Sequence, residues 1–509
     1  MLATALGATL TGLQAQPVRV EVRATRGPPC FDLVGLAEAA VRESRVRVKS
    51  ALALVGVDIG ECQIVVNLAP GDVRKTGSGF DLAIATAVAG ALGAAPRDAI
   101  AGVLFVGELS LEGTVQPLRG VLAQLLGARA RGVRRAVVAQ ANSAEAALVE
   151  GMDVRVASTL GDVLESLRGR AELPRAERAE PDAAVRPDEA EDLADVRGQI
   201  AARRALEIAA AGGHNLAMIG PPGAGKTMLA RRLPGLLPPL STDEALEVTA
   251  IHSVAGLFKA THGLSGRRPF RAPHHTVSEI GLVGGGDGPR PGEVSLAHHG
   301  VLFLDELAEF RRAALEALRQ PLEDGVVTIS RAQGKATFPA RLLLVCAMNP
   351  CACGWLGDGS GRCVCSPERV RAYRAKMSGP LLDRIDVHVV LPPVEVAALQ
   401  APGRGEPTAP VRARVEHARD IQRDRVRRGL VAATTNAALA PRDVERIAPL
   451  CPAGARLLSS AMERLALSAR AYGKVLRVAR TIADLDGSEA IEPAHVAEAI
   501  GLRVMDRAV

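Results

Sequence analysis

Hydrophobic and polar positions follow two periods along this chain, and each period predicts a different kind of element. Alternation of apolar and polar residues at 18–22 is typical of a half-buried β-strand. Apolar segments at 62–68, 301–304 and 342–347 also predict strands, and 301–304 is typical of a buried parallel strand. The Ala-rich segment 81–93 predicts a buried helix because it is long, apolar and free of charge after its first residue.

The order of these elements divides the chain into four segments and makes it an α/β multidomain protein. Residues 1–168 mix short strands with Ala-rich helices. Residues 169–192 are charged, contain prolines and have few large apolar side chains, so we interpret them as a linker. Strand and helix patterns alternate through 193–395, which predicts an α/β domain with a mostly parallel sheet. Helical patterns follow in 396–509.

Composition limits the partners and the location that we expect. The chain has 509 residues and a net charge of +6, which permits a polyanionic partner without requiring one. Aromatic residues make up only 2%, so we expect ionic contacts with a nucleic-acid backbone rather than a base-stacking platform. The longest uncharged apolar run, 82–95, is too short to span a bilayer. Because no basic residue precedes Arg19, we expect no signal peptide, and we predict a cytoplasmic protein without a membrane partner.

A glycine-rich segment carries the first chemical signal. It fits the phosphate-binding pattern G-x-x-x-x-G-K-[ST]. Its residues are Gly220, Pro221, Pro222, Gly223, Ala224, Gly225, Lys226 and Thr227. The glycines let backbone N–H groups approach phosphate oxygens, Lys226 would reach the β- and γ-phosphates, and the Thr227 hydroxyl would bind Mg²⁺. We therefore predict a site for ATP and Mg²⁺.

The strand predicted at 301–304 ends in two acidic residues, Asp305 and Glu306. A buried strand with this ending, downstream of a phosphate-binding loop, is typical of nucleotide hydrolases. Asp305 would bind Mg²⁺ together with Thr227, and Glu306 would activate the attacking water. The alternative is a glycine-rich turn and an acidic strand end without chemistry, and the pairing of the two motifs argues against it.

Four of the eight cysteines form two C-x-C pairs. They are Cys351 with Cys353 and Cys363 with Cys365, and the residues between the pairs are rich in Gly and Asp. Four thiolates on one loop can bind Zn²⁺ tetrahedrally, so we expect a structural zinc ion, although C-x-C is tighter than the usual spacing. Redox chemistry and a loop without metal are the alternatives. Structural disulfides are not expected in a cytoplasmic protein.

Two adjacent histidine pairs, His274–His275 and His298–His299, are a weaker signal. Neighbouring side chains point apart on helices and on strands, so we expect a metal site at neither pair.

Several longer sequence segments of this chain resemble those of a known protein family. They are Phe31-Asp-Leu-Val-Gly-Leu, Gly77-Ser-Gly-Phe-Asp-Leu, Gly213-His-Asn-Leu, Phe270-Arg-Ala-Pro-His-His-Thr, Gly379-Pro-Leu-Leu-Asp-Arg-Ile-Asp and Leu476-Arg-Val-Ala-Arg-Thr-Ile-Ala. With the nucleotide motifs, they resemble the Mg-chelatase-like AAA+ ATPases of the YifB/ComM type over nearly the whole chain. The resemblance implies a Lon-protease-like α+β domain at 1–168, an AAA+ P-loop core at 193–395 and an all-α lid at 396–509.

The resemblance also implies roles for residues outside the nucleotide motifs. Asn349 would be the sensor that positions the attacking water. Arg384 would be the arginine finger that contacts ATP in the neighbouring subunit, a role that suits a permanently charged guanidinium; an ion pair with Asp383 or Asp386 is the alternative. A finger that acts on a neighbour requires a homo-oligomer, and the family implies a hexameric ring.

Two further regions take roles from the same resemblance. In the lid, Arg477 would contact the γ-phosphate, with Arg480 one helical turn later as the competitor. The segment 326–341 predicts a hairpin that precedes the sensor strand. In related helicases, basic residues of this hairpin follow the phosphate backbone of DNA, and Arg331 and Lys335 are the candidates here. A solvated hairpin without DNA contacts is the alternative.

The Lon-like first domain makes an ATP-dependent protease or protein remodeller an alternative function. Lon-type proteolysis needs a serine nucleophile and a lysine base. Matched to the Lon motifs, Gly79 occupies the serine position and Leu122 the lysine position. A shifted pair of Lys75 and Ser78 stays open, but we interpret the domain as a non-catalytic module for oligomerisation or DNA contact.

A chelatase-type motor subunit is a second alternative, because the ATPase core resembles that subunit. Metal insertion into a porphyrin needs a D-x-S-x-S motif, and the nearest segment, Asp486-Gly-Ser-Glu-Ala, lacks the final serine. The ComM branch of the family consists of branch-migration helicases that act in natural transformation. The resemblance therefore implies a ring-forming ATPase that remodels single-stranded or branched DNA.

Overall fold

The structure is a computed structural model. It describes residues 1–36, 38–178, 191–259, 263–264, 266–286, 288–331, 334–376, 379–394, 405–465, 467–503 and 505. Of the predicted linker, 169–192, the part 179–190 lies outside the described residues. No helix of the described part is long and apolar enough to cross a membrane.

A mixed sheet dominates the first part of the chain. Its strands and the short hairpin beside it are β1 (Leu2–Thr11), β2 (Gln14–Arg26), β3 (Cys30–Val34), β4 (Cys62–Ala69), β5 (Val103–Val106), β6 (Glu108–Leu109), β7 (Val115–Gln116), β8 (Arg135–Ala139) and β9 (Asp153–Ala157). Seven of them form the sheet in the order β3-β4-β2-β1-β5-β8-β9. The strand predicted at 18–22 lies in β2, where alternate residues are buried. Antiparallel pairing joins β1, β2 and β4, and parallel pairing extends both edges.

Helices cover this sheet. They are α1 (Ala39–Leu54), α2 (Asp81–Ala91), α3 (Arg97–Ile100), α4 (Val121–Ala130), α5 (Ser143–Ala146) and α6 (Leu160–Leu167). Every residue of α2 is buried, as its continuous apolar sequence predicts. The helix ends before the predicted boundary because Gly93 takes a φ of 81°, a left-handed conformation that favours glycine and terminates helices.

A five-stranded parallel sheet forms the centre of the second part. Strands of this part are β10 (Leu216–Ile219), β11 (Phe270–Arg271), β12 (Gly284–Gly285), β13 (Arg290–Pro291), β14 (Val301–Leu304), β15 (Val326–Arg331), β16 (Gly334–Pro339), β17 (Leu343–Met348) and β18 (Val387–Val390). The sheet order is β11-β14-β17-β10-β18, and every pairing is parallel. The predicted strands at 301–304 and 342–347 are confirmed, the second shifted by one residue. Because parallel strands end at one edge, the chemical groups that follow β10, β14 and β17 meet there.

Helices surround the second sheet. They are α7 (Ile200–Gly212), α8 (Lys226–Leu236), α9 (Thr242–Ala255), α10 (Glu279–Val283), α11 (Glu293–Leu296), α12 (Arg312–Ala317), α13 (Arg319–Asp324), α14 (Pro367–Arg374) and α15 (Gly379–Leu382). The helix α9 begins in a capping box of Ser241 with Glu244 and ends at Gly256. It also packs on α4, so the two parts share an interface.

The C-terminal segment contributes five helices among its described residues. They are α16 (Thr408–Arg427), α17 (Pro441–Ile447), α18 (Pro452–Arg464), α19 (Ala469–Leu485) and α20 (Pro493–Gly501). Both α16 and α19 pack on α7, and one apolar cluster runs from the second sheet into these helices. The Asp484 carboxylate is fully buried and binds Arg425 and Arg480, with Arg480 Nε 3.0 Å from its Oδ1. This charged cluster holds the ends of α16 and α19 together.

Candidate nucleotide-binding site

The phosphate-binding loop joins β10 to α8. Gly223 and Gly225 have φ angles of 77° and 90°, which residues with a side chain rarely adopt. At Gly220 the constraint is space, because a Cβ would lie 2.8 Å from the carbonyl oxygen of Leu391. These glycines are therefore required by the fold of the loop itself, and α8 begins directly after it at Lys226.

The Lys226 ammonium lies inside the loop. Its Nζ donates to the carbonyl oxygens of Gly220 at 2.6 Å and Pro221 at 3.0 Å, and to Asn349 Oδ1 at 3.1 Å. Burial lowers the pKa of Lys226, and the nearby carboxylates at 305–306 oppose the shift. The sensor candidate Asn349, which follows β17, is thus in direct contact with the loop lysine.

Thr227 and Asp305 meet at the same edge of the sheet. Thr227 Oγ1 donates to Asp305 Oδ2 at 2.7 Å. Mg²⁺ binds oxygen ligands at about 2.0–2.1 Å in octahedral geometry, so neighbouring ligands lie about 3 Å apart. The hydroxyl and the carboxylate therefore fit two adjacent positions around this ion.

An unusual backbone conformation orients the Glu306 side chain. Its φ is 51°, in the left-handed region, and its N–H donates to Asp305 Oδ1 at 2.9 Å. Its carboxylate lies 3.2 Å from His275 Nδ1 and is 57% exposed, so water reaches it. Residues with strained backbone dihedrals cluster at ligand-binding and active sites, where the strain helps to orient the side chain.

His275 is a site residue that sequence reasoning missed. It belongs to a histidine pair for which no role was predicted, and it lies in the quoted string that starts at Phe270. The rings of His274 and His275 lie 4.1 Å apart between centroids, so the expectation that they point apart is wrong. His275 contacts Glu306 because the segment after β11 runs beside the end of β14.

Arg384 lies between α15 and β18 and is bound within its own chain. The guanidinium pairs with Glu323 of α13, and the side chain is 20% exposed. The intrachain ion pair that the sequence offered as the alternative is present, but with Glu323 as its partner. Asp383 binds Arg470 with 2.9 Å between the oxygen and Nη1, and Asp386 binds His214. Glu323 was not a candidate because nothing in the sequence brings α13 close to this segment.

Arg477 and Arg480 differ in their surroundings on α19. Arg480 is only 1% exposed; it binds Asp484 and donates to the carbonyl oxygens of Ser488 and Glu489. Arg477 is half-buried, and its Nε donates to the carbonyl oxygen of Leu439 at 3.0 Å. The guanidinium of Arg480 is thus engaged inside the helical segment.

A buried polar contact links the Arg384 segment to α19. His214 Nδ1 lies 3.1 Å from Asp386 Oδ2, and its Nε2 lies 2.8 Å from Thr481 Oγ1. Burial alone would raise the pKa of Asp386, but the hydrogen bond from His214 and the nearby Lys474 lower it. These residues lie far apart in sequence, and no motif predicted their contact.

Comparisons with known proteins agree with this arrangement. Family descriptions match three successive parts of the chain: "Subunit ChlI of Mg-chelatase" at 20–142, "Magnesium chelatase, subunit ChlI" at 192–399 and "Magnesium chelatase, subunit ChlI C-terminal" at 405–503. Competence protein ComM of Haemophilus influenzae is 44% identical over 499 residues, which cover 97% of this chain and 96% of ComM. The YifB protein of Escherichia coli is 42% identical over 498 residues, 97% of this chain and 96% of YifB.

The chain belongs to the ComM/YifB family of Mg-chelatase-like proteins. Membership in this ATPase family implies ATP and Mg²⁺ as ligands, and the residues at the sheet edge suit both. A weaker similarity concerns a Lon protease of Mycolicibacterium smegmatis, which is 27% identical over 171 residues, 31% of this chain and 22% of that protease.

Lys75 and Ser78, the shifted pair considered for Lon-type proteolysis, have different hydrogen-bond partners. Lys75 is buried, and its Nζ donates to the carbonyl oxygen of Pro70. The Ser78 hydroxyl donates to Glu108. Neither hydrogen bond joins the lysine to the serine, and Leu122 at the lysine position is fully buried.

The predicted hairpin is present as β15 and β16. Lys335 lies on β16 opposite Ser330, and its side chain is exposed. The turn residues 332–333 and the Arg331 side chain lie outside the described residues. The hairpin therefore presents at least one exposed cation on the segment that precedes the sensor strand in the chain.

The four clustered cysteines come together on one loop. Cys351 Sγ lies 3.4 Å from Cys353 Sγ and 3.8 Å from Cys363 Sγ, Cys353 and Cys363 are 3.7 Å apart, and all four sulfurs including Cys365 lie within 4.8 Å of one another. A zinc ion with Zn–S bonds of about 2.3 Å needs sulfurs about 3.8 Å apart. Backbone hydrogen bonds lower the pKa of Cys353 to about 6. The donor set and its spacing fit Zn²⁺.

A second cluster brings His298 and His299 together with Glu247. His298 and His299 stack with centroids 3.9 Å apart, and the Nε2 atoms of both lie 2.9 Å from Glu247 Oε2. They share this carboxylate because His299 has a φ of 55°, so the expectation that they point apart is wrong. The backbone N–H of Arg341 donates to His298 Nδ1 at 3.0 Å, which places the proton on Nε2. Burial lowers the pKa of His298 to about 4, so its ring is neutral at physiological pH.

Proposed function

We propose that this protein is a ring-forming ATPase that couples ATP hydrolysis to remodelling of single-stranded or branched DNA in the cytoplasm, as a branch-migration helicase. The observation that carries the ATPase part is the convergence of Lys226, Thr227, Asp305, Glu306 and Asn349 at one sheet edge. These groups come from three strand ends that are distant in sequence, and together they match what nucleotide hydrolysis needs.

Each group has a definite task in this proposal. Lys226 exchanges its loop carbonyl acceptors for phosphate oxygens when ATP binds. Thr227 and Asp305 would hold Mg²⁺, which supplies charge neutralisation at the phosphates. Glu306 accepts a proton from the attacking water, and Asn349 orients that water. The additional task that we assign to His275 is to hold the Glu306 carboxylate in position.

Arg384 would complete the site of the neighbouring subunit in a homo-oligomer, which we propose is a hexameric ring. Its partner Glu323 is 65% exposed, so the pair is only partly shielded from water. Such pairs contribute about 0–1 kcal/mol, and a γ-phosphate with several negative oxygens competes well for the guanidinium. Arg477 would contact the γ-phosphate from the helical side, and the engagement of Arg480 with Asp484 supports this choice.

The DNA part of the proposal has separate support. The relative with 44% identity over nearly its whole length carries the name competence protein. The net charge is +6, and Lys335 is exposed on the hairpin that precedes the sensor strand in the chain. We propose Lys335 and Arg331 as contacts to the DNA backbone. We also propose Zn²⁺ as a structural ion at the four cysteines, since thiolates suit zinc and not Mg²⁺.

The test is ATP turnover by the purified protein, alone and with single-stranded, duplex and four-way-junction DNA. The Glu306→Gln variant is the control for contaminating ATPases, because it keeps the ATP-binding groups and loses the base. Stimulation by DNA, strongest on junctions or single strands, is the expected result. ATP turnover that none of the DNA substrates changes would refute the DNA part of the proposal. It would favour protein remodelling, for which casein degradation is the next assay. Absence of turnover above the Glu306→Gln level would refute the ATPase itself.

A further inference from the structure

The cysteine cluster lies against the nucleotide site. Residues 351–365, here named the cysteine loop, begin two positions after Asn349. Gly354 of this loop is so close to the phosphate-binding loop that an added Cβ would lie 2.9 Å from Cδ of Pro222 and 4.0 Å from Cγ of Asn349. The cysteine loop therefore contacts both the phosphate-binding loop and the residue that binds Lys226.

The far end of the cysteine loop returns to the same place. It continues through Ser366, whose side chain caps α14. From the last turn of α14, Arg374 Nε donates to the carbonyl oxygen of Pro350 at 3.3 Å. The chain thus leaves Asn349, passes all four cysteines and returns to Pro350, the residue that follows Asn349.

The cysteine loop has no apolar core of its own. Apart from Cys351 and Gly354, its residues are partly or fully exposed. Gly357, Gly359 and Gly361 have φ angles of 78°, 74° and 70°, so the backbone is built from turns. A glycine-rich segment of this kind is costly to order because of its conformational entropy. The sulfur cluster joins the two ends of the loop. Its middle is ordered by Asp358, which accepts hydrogen bonds from Ser360 and Arg362, and by the Arg362 guanidinium, which lies over the Trp355 ring.

We propose that a metal ion bound by the four thiolates, Zn²⁺ by its chemistry, holds the cysteine loop against Pro222 and Asn349 and thereby sets the affinity of the site for ATP. Occupied, the loop keeps Asn349 in contact with Lys226 and supports the phosphate-binding loop from outside. Emptied, the loop loses the link between its two ends and its contacts with Pro222 and Asn349. This inference rests on the proposed ATP site and extends it to metal-dependent control.

The experiment measures zinc, loop conformation and ATP affinity on the full-length protein. Zinc is quantified colorimetrically after the thiols are blocked, and about one ion per chain is expected. Trp355 is the single tryptophan of the protein and lies in the cysteine loop, so its fluorescence reports on that loop. A zinc-selective chelator that spares Mg²⁺ should shift Trp355 emission and weaken binding of a fluorescent ATP analogue about tenfold, the equivalent of one hydrogen bond to a charged group such as that of Asn349 with Lys226. Added Zn²⁺ should restore both signals, and added Mg²⁺ should not.

Three variants distinguish an effect of metal loss from a general loss of folding. Cys365→Ser should reproduce the effect of chelation, and Cys451→Ser should leave zinc content and ATP affinity unchanged, since serine can also cap α18. Gly354→Ala should weaken ATP binding, because its Cβ would displace Pro222 and alanine rarely adopts the φ of 86° found here. The zinc content of this variant shows whether its metal site is intact. Thermal unfolding of each variant shows whether it is folded, and chelation of the wild-type protein needs no variant.

The outcomes distinguish this inference from the proposed function. Protein without zinc, or zinc removal that leaves ATP affinity unchanged, overturns the inference and leaves the ATPase proposal in place. Zinc-dependent ATP binding without turnover supports the inference and contradicts the proposed hydrolysis. Zinc-loaded protein that binds no ATP overturns both.

Discussion

The Lys226→Ala variant tests the phosphate-binding loop most directly. The ammonium has three acceptors, at 2.6, 3.0 and 3.1 Å, and two of them are loop carbonyls that phosphate oxygens would replace. A hydrogen bond to a charged group contributes about 1.5–3 kcal/mol. Loss of two such bonds therefore removes about 3 kcal/mol or more from ATP binding, which corresponds to a Kd about 150-fold higher.

The expected increase in Kd also predicts how much ATP stabilises the variant against thermal unfolding. At an ATP concentration of about 100 times the wild-type Kd, ligand binding stabilises the folded protein by about 2.7 kcal/mol. With a Kd about 150-fold higher, the same ATP concentration stabilises the variant by only about 0.3 kcal/mol. The protection of the wild-type protein by Mg-ATP should therefore be nearly absent from the variant.

The assay is titration with a fluorescent ATP analogue in the presence of Mg²⁺, combined with unfolding curves with and without ATP. Lys259→Ala is the matched control, because Lys259 is exposed and lies outside the site. In the absence of nucleotide, both variants should unfold close to the wild-type temperature. A Lys226→Ala variant that binds ATP with wild-type affinity would show that the ammonium does not contact phosphate, and the site would have to be placed elsewhere.

Three further predictions concern the ring, the DNA and the helical segment. Arg384→Ala should bind ATP normally and lose turnover, and mixing it with Glu306→Gln subunits should restore part of the activity; normal turnover of Arg384→Ala alone would exclude it as the finger. Lys335→Ala should reduce stimulation by DNA and flatten the dependence of DNA affinity on salt, because one phosphate contact is lost; an unaltered slope would contradict the contact. Asp484→Ala leaves two arginines without their buried carboxylate and should lower stability by about 3 kcal/mol or more, seen as a lower unfolding temperature, whereas Asp420→Ala, at an exposed carboxylate on α16, should change it little.

The sequence alone determined the features that depend on contiguous residues. The phosphate-binding loop was predictable because its dihedral requirements and its chemistry lie within eight adjacent positions. The strand at 301–304 was predictable because a parallel strand buried on both faces must be continuously apolar. Two thiol pairs on one glycine-rich loop were likewise a local signal, and the sulfurs meet as that signal indicated.

Only the tertiary structure decided which distant groups touch. His275 reaches Glu306, Asn349 reaches Lys226, and Arg384 pairs with Glu323 because the strand order and the helix packing place them side by side. Local spacing rules carry no information on such contacts. They also failed at His299, where a left-handed backbone turns two neighbouring rings onto one carboxylate. A binding motif that lies within one loop can therefore be predicted from sequence. The contacts of its side chains with distant residues depend on the fold, which the whole chain specifies.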